Sequence, residues 1–188
     1  MNNAKTIENF LSKEECEYLI NVSIESNLWE SGGNAFWDNR IINYYKMINY
    51  NEKAASIMLD ANVRCSQEIK KQYNLDKDVY PDTLQVVRWF PGMEQHPHAD
   101  DMSNTDIVGF DHRMFGTVLY LNNNYSGGHT FYPNFDFEIV PKQGTLAMHP
   151  GDPEHLHGVT KIESGIRYTI ASFWTYEKGK SYVWPVSK

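Results

Sequence analysis

Residues 82–92 read Asp82-Thr83-Leu84-Gln85-Val86-Val87-Arg88-Trp89-Phe90-Pro91-Gly92, and they mark the point where the chain changes period. From here the sequence falls into short β-rich runs at 83–90, 114–121, 129–132, 135–140, 145–148, 157–160 and 166–174. The breaks between them include Pro91-Gly92, Asn122-Asn123-Asn124, Ser126-Gly127-Gly128, Lys142-Gln143-Gly144 and Glu163-Ser164-Gly165. Strands this short, separated by turn residues rather than by crossover helices, build a two-sheet jelly roll or a barrel and not a parallel α/β sheet.

Upstream the pattern is helical. Ser12-Lys13-Glu14-Glu15 has the form of a capping box, followed by Cys16, Leu19, Ile20 and Ile24 at helical spacing. A second helix is expected from near Asn51, with Ala54, Ile57, Met58, Ala61, Cys65 and Ile69 on one stripe. The stretch 29–50 between them is mixed and aromatic. The expected class is therefore mainly β with flanking helices (α+β): a double-stranded β-helix, or jelly roll, with the N-terminal helices packed on one sheet. One domain over 1–188 is expected, with a helical buttress over 1–80 and a jelly-roll core over 81–178.

A chain of 188 residues with 41% hydrophobic and 14% aromatic content is rich enough in apolar side chains for a packed core, which excludes an intrinsically disordered class. Its formal charge of −7, with no Lys/Arg-rich run, argues against nucleic acid as a partner. No stretch approaches the roughly 18 apolar residues of a membrane span, and the first residues lack the apolar run of a signal peptide. Cys16 and Cys65 lie on the helical stripes and read as buried thiols. These features point to a cytoplasmic location and no membrane contact; none of them encodes an oligomeric state.

All seven histidines, at 96, 98, 112, 129, 149, 155 and 157, fall in one third of the chain. In extended backbone, residues i and i+2 face the same side, so His98 and Asp100 can offer an imidazole and a carboxylate to one metal. A third ligand from the stretch 149–159, which carries His149, His155 and His157, would close a two-histidine, one-carboxylate facial triad with open positions. Further on, Arg167, Thr169, Ala171 and Phe173 share one face of a strand, so a guanidinium projects beside small side chains. A buried arginine needs an anion, and a dicarboxylate cosubstrate would supply one.

With these residues in this order, the stretch from about Thr83 to Trp174 resembles the non-haem Fe(II)- and 2-oxoglutarate-dependent dioxygenases, in particular their prolyl 4-hydroxylase-like branch. The resemblance rests on residues 84–92, His98-Ala99-Asp100, Tyr120-Leu121-Asn122, residues 127–133, His157-Gly158-Val159 and Gly165-Ile166-Arg167-Tyr168. It implies that His98, Asp100 and His157 are iron ligands, with His157 preferred to His155 by its interval to Arg167. It implies that Arg167 holds the distal carboxylate of 2-oxoglutarate with help from Tyr120 and Thr130, and that Arg113 lies near a peptide-substrate groove. The implied cofactors are Fe(II), 2-oxoglutarate and O2, with ascorbate as an auxiliary reductant. The implied substrate is a prolyl residue of a peptide or protein, or a small proline-like molecule. The presence of Asp100 favours hydroxylation, since related halogenases carry a small residue there.

The pattern also departs from its relatives. Trp89 stands where many have a tyrosine that contacts the cosubstrate, and Phe90 likewise lacks a hydroxyl. His129, Gln95 and Phe173 also replace more usual residues. A jelly-roll binding module without turnover, or a cupin-like metal protein that does not use 2-oxoglutarate, is the alternative reading; the second leaves Arg167 without a task. His96, His112, His129 and His149 read as surface or satisfied core residues. The acidic segment 99–112 reads as a loop able to cover the site, and Trp174, Tyr176, Tyr182 and Trp184 as an aromatic wall or core packing.

Overall fold

A computed structural model describes residues 4–31, 35–101 and 110–181. Ser12 caps α1 (Lys13–Glu25): its hydroxyl accepts from the Glu15 N–H at 3.1 Å, and the Glu15 carboxylate accepts from the Ser12 N–H at 2.8 Å. Two otherwise orphaned donors are satisfied at once. After the short α2 (Tyr44–Tyr50), the Asn51 side chain accepts from the Ala54 N–H at 2.9 Å and starts α3 (Glu52–Gln72). Helix α3 buries Ala54, Ala55, Met58, Ala61, Cys65 and Ile69. That set is the expected stripe with Ala55 added and without Ile57, which packs half-buried at its margin.

Among the described residues the strands are, in chain order, β1 (Lys5–Ile7), β2 (Ile41–Asn43), β3 (Tyr80–Trp89), β4 (Gln95–His98), β5 (Phe115–Tyr120) and β6 (Ser126–Gly127), then β7 (Thr130–Tyr132), β8 (Phe137–Ile139), β9 (Leu146–Pro150), β10 (His157–Val159), β11 (Ile162–Ser164) and β12 (Arg167–Thr175). The major sheet runs β1-β9-β5-β12-β3-β2, the minor sheet β4-β10-β7-β8, and β11 pairs β6. All pairings are antiparallel. The α+β jelly-roll class expected from the sequence is the observed one.

Alternation along β12 assigns its two faces. Tyr168, Ile170 and Trp174 join Leu84, Val86 and the helices in the larger core, and Ser172 Oγ donates to Asn62 of α3. Each fully buried aliphatic side chain in this layer, such as Leu19 or Ile69, contributes about 1.5–3 kcal/mol of transfer free energy. The opposite face looks between the sheets. There Val87, Trp89 and half-buried Ala171 pack on Val159 and Ile162, while Tyr120 and Ala147 pack on Tyr132 and Ile139.

Residues 1–80 are more than helices. β1 and β2 occupy the two edges of the major sheet, pairing β9 and β3. Three residues are too few to display a period, so only their tertiary pairing reveals them as strands. β4 is legible in the sequence only as extended backbone beyond a turn; it is the edge of the minor sheet, which is where Pro97 can sit without breaking a ladder. Trp174 is wholly buried core, whereas Tyr182, Trp184 and most of the expected covering loop, 102–109, lie outside the described residues.

Candidate metal centre

Antiparallel pairing of β4 with β10 makes His98 and His157 direct cross-strand partners. Asp100 follows two residues after His98, and one ligand atom from each of the three lies within 4.8 Å of the others. The ring centroids of the two histidines are 4.6 Å apart, and His157 Nε2 is 3.6 Å from Asp100 Oδ1. In both rings Nδ1 faces the carbonyl two residues earlier, His96 O at 3.0 Å and His155 O at 3.2 Å. A proton held there by the carbonyl leaves the Nε2 lone pair free for a cation. Gln95 Nε2 lies 3.2 Å from His98 Nε2, so a carboxamide donor shares that lone pair.

Asp100 is 2% exposed, and its Oδ2 has no hydrogen-bond partner among the described residues. A buried carboxylate so poorly satisfied is costly unless a cation joins it. Burial holds His157 below the usual histidine range, and this outweighs the opposing pull of Asp100. A neutral imidazole is the form that binds metal. The donor set therefore fits a divalent transition metal with positions left open.

Around the next turn of the fold lies a second polar cluster. Arg167, at the start of β12, is 2% exposed and pairs with Trp89 across the strands. Its Nη2 donates to Thr130 Oγ1 at 3.4 Å, Thr130 Oγ1 lies 2.6 Å from the Tyr120 hydroxyl, and Arg167 Nε has no partner. No carboxylate pairs with this guanidinium among the described residues. Gly128 makes room beside it: with φ +68 it takes a left-handed conformation, and an added Cβ would come within 2.6 Å of Ile162, 3.0 Å of Tyr125 and 3.1 Å of Arg167. These residues form a desolvated, cationic cluster that fits one carboxylate of a small dianion.

The other sequence-derived candidates fall elsewhere. Arg113 commits Nε to Asp82 Oδ2 at 2.6 Å and stacks its guanidinium on Phe173 and Phe110 at 3.8 and 4.1 Å. His155 turns its Nδ1 to Asp152 at 2.7 Å and lies outside the triad. His129 pairs with Glu138 at 3.2 Å, His112 is buried 3.3 Å from Asp82, and His96 is exposed.

Of three nearby residues, the sequence marks neither Tyr125 nor Arg40 for the site, and it offers His149 only as one of three histidines in the stretch for the third ligand; His149 lies outside the triad. His149 is 2% exposed and stands edge-on to His157 at 4.0 Å; burial, then His157 and His98, hold its pKa well below the usual range. Extending the 145–148 strand by two residues would have put it on the inner face with Ala147. The buried Tyr125 hydroxyl lies close to the Arg167 guanidinium, whose charge opposes the rise in its pKa that burial causes. Arg40 is fully buried among the rings of Phe36, Trp37 and Trp89 at 4.6, 4.6 and 4.1 Å, its pKa lowered to about 10 by burial and then by Arg167. No local pattern announces that cage, because Trp89 arrives from a distant strand.

The family model of the 2OG-Fe(II) oxygenase superfamily matches residues 84–176, which contain the triad and Arg167. The chain belongs to this superfamily. The chain is 31% identical over 126 residues to a mimivirus protein named "Putative prolyl 4-hydroxylase" (Acanthamoeba polyphaga mimivirus), covering 60% of this chain and 51% of that one. It is 29% identical over 151 residues to "Probable prolyl 4-hydroxylase 3" of Arabidopsis thaliana, covering 74% and 49%. The chain thus spans about half the length of these two curated relatives.

In fold, the chain matches a viral collagen prolyl hydroxylase from Paramecium Bursaria Chlorella virus-1 in its 2OG complex. That match has a TM-score of 0.68 and 23% identity, covering 94% of this chain and 97% of that one. It also matches a Trichoplax adhaerens prolyl hydroxylase bound to a hypoxia inducible factor peptide, with a TM-score of 0.71 and 21% identity, covering 96% and 86%. Among the described residues no helix is long and apolar enough to cross a membrane.

Proposed function

We propose that this oxygenase hydroxylates a prolyl residue of a peptide or protein, or a small proline-like molecule, using Fe(II), 2-oxoglutarate and O2. His98, Asp100 and His157 would hold the iron. Arg167, with Tyr120 and Thr130, would hold the C5 carboxylate of 2-oxoglutarate. The observation that carries this reading is the pairing of a three-ligand cluster with a buried arginine that has no carboxylate partner among the described residues. Iron bound there supplies the coupling of oxidative decarboxylation of 2-oxoglutarate, to succinate and CO2, with insertion of one oxygen atom into a C–H bond.

The chain's own part is to bind, orient and exclude water. The carbonyls of His96 and His155 fix the two imidazoles, and the Thr130 hydroxyl bridges Arg167 and Tyr120. Trp89, Tyr120 and Tyr132 supply dry walls. Arg113, held by Asp82, would form a fixed cationic part of the substrate side. The mimivirus and Arabidopsis relatives and the peptide-bound Trichoplax structure support the choice of a prolyl substrate. This reading treats the chain as one catalytic unit, with the layer of 1–80 buttressing the core in 81–178. The free, buried thiols of Cys16 and Cys65 are in keeping with a reducing, cytoplasmic setting.

The test is anaerobic titration of the Fe(II)-loaded protein with 2-oxoglutarate, followed by oxygen and a succinate assay with ascorbate and proline-containing peptides. A visible metal-to-ligand charge-transfer band, then succinate and a hydroxylated peptide, is the expected result. No band in protein shown to hold Fe(II) would overturn the assignment of 2-oxoglutarate.

A further inference from the structure

Asp100 has two oxygens in different surroundings. Oδ1 faces His157, whereas Oδ2 points into the protein and has no hydrogen-bond partner among the described residues. The nearest side-chain nitrogen to Oδ2 that the structure records is His149 Nε2, at 3.8 Å, with both side chains 2% exposed. That is beyond hydrogen-bond length but within reach of a small rotation of the carboxylate.

The gap between them is kept open by backbone. Gly116 of β5 is the direct cross-strand partner of His149 on β9. A Cβ at Gly116 would lie 2.1 Å from Asp100 Oδ2 and 2.7 Å from His149 Nε2, distances that no real side chain could occupy. Glycine here is not needed for backbone freedom, since its φ is not in the left-handed range; it is needed for space. His149 is held from its other sides by the ring of His157, edge-on at 4.0 Å, and the ring of Tyr132 at 5.6 Å. In this setting Nε2 faces Asp100 Oδ2, and the Pro150 backbone lies within reach of the same ring.

We infer that His149 is a positioning residue of the metal centre, donating its Nε2 proton to Asp100 Oδ2 so that only Oδ1 is presented to the cation, with Gly116 as the space that permits it. This rests on the metal reading of His98, Asp100 and His157. A carboxylate tied through one oxygen binds a metal through the other alone, which leaves room for a chelating cosubstrate and for oxygen. Without the tie, Asp100 is free to turn both oxygens to the metal and fill one of those positions.

The test compares wild type with His149→Phe, which keeps an aromatic filler but removes the donor, and His149→Gln, which keeps a donor. Mn(II) affinity is read from the EPR signal of the free ion, 2-oxoglutarate affinity from the anaerobic Fe(II) charge-transfer band, and folding from circular dichroism. His149→Phe is expected to bind Mn(II) roughly 10- to 100-fold more weakly, the usual effect of losing a partner that orients a ligand, and to bind 2-oxoglutarate more weakly still once Fe(II) is saturating. His149→Gln is expected to recover most of both losses. Wild-type affinities in a folded His149→Phe would overturn the inference and leave the metal reading intact. If His149→Phe does not fold, His149→Leu takes its place under the same criteria: weakened affinities that His149→Gln restores support the tie, and wild-type affinities overturn it. Failure of the wild type to bind Mn(II) would overturn both.

Discussion

His98 and His157 face each other directly across the β4–β10 pair, so a single antiparallel register brings together imidazoles 59 positions apart in the chain. Removing one should undo the centre without undoing the sheet, because each strand keeps its backbone ladder. For His157→Ala, and likewise Asp100→Ala, metal affinity is expected to fall by more than about a hundredfold and succinate formation to vanish, with an unchanged far-ultraviolet spectrum. Normal turnover by metal-checked protein would refute the ligand assignment.

Arg167 belongs to the second polar cluster, so its loss should separate cosubstrate from metal. Arg167→Met is expected to raise the KM for 2-oxoglutarate about 10- to 100-fold, in line with the loss of hydrogen bonds to a charged group. Mn(II) affinity should stay as in wild type. An unchanged KM would remove Arg167 from that role.

Tyr125 offers a hydroxyl close to Arg167, in a chain whose Trp89 and Phe90 carry none. Tyr125→Phe is expected to weaken 2-oxoglutarate binding by about three- to tenfold, the effect of one hydrogen bond. Equal affinity measured by the charge-transfer titration would show that the hydroxyl faces elsewhere.

His149 and His157 should make the metal-free fold acid-sensitive. Both pKa values are depressed in the folded chain, chiefly by burial, with His98, His155 and Asp100 as charged or titratable neighbours. In the unfolded chain they return to about 6.5, so below that pH the unfolded state binds the extra protons. The stabilisation is complete above this range and is lost as pH falls through it. A chelator-treated sample should show Tm dropping between about pH 7 and pH 5, and His149→Phe should flatten that slope.

The reach of the sequence is clearest residue by residue. The turn-broken runs from 83 onward disclose the jelly roll because each strand carries its own alternation and its own breaker. His98 and Asp100 are legible because their spacing is local, and Arg167 because its strand is long enough to assign a face. His155 and His157 share a local face in one dimension; what separates them is Asp152, which draws the His155 ring away. His149 is legible only as one of three histidines in 149–159; its place beside Asp100 is hidden because the β-rich run at 145–148 stops short of it, and the Arg40 cage is hidden because its rings meet only after folding.

β1 has a consequence for the order of events at the ribosome. Lys5 is made well before its partner on β9, Met148, and Arg167 is made later still. The sheet that carries Gly116, His149 and Arg167 thus joins β1 to a strand far along the chain, a long-range pairing of the kind that folds slowly. Helices α1 and α3 can form before that pairing exists, but the cation site cannot form until His157 of β10 has been made, so iron should be loaded after that point.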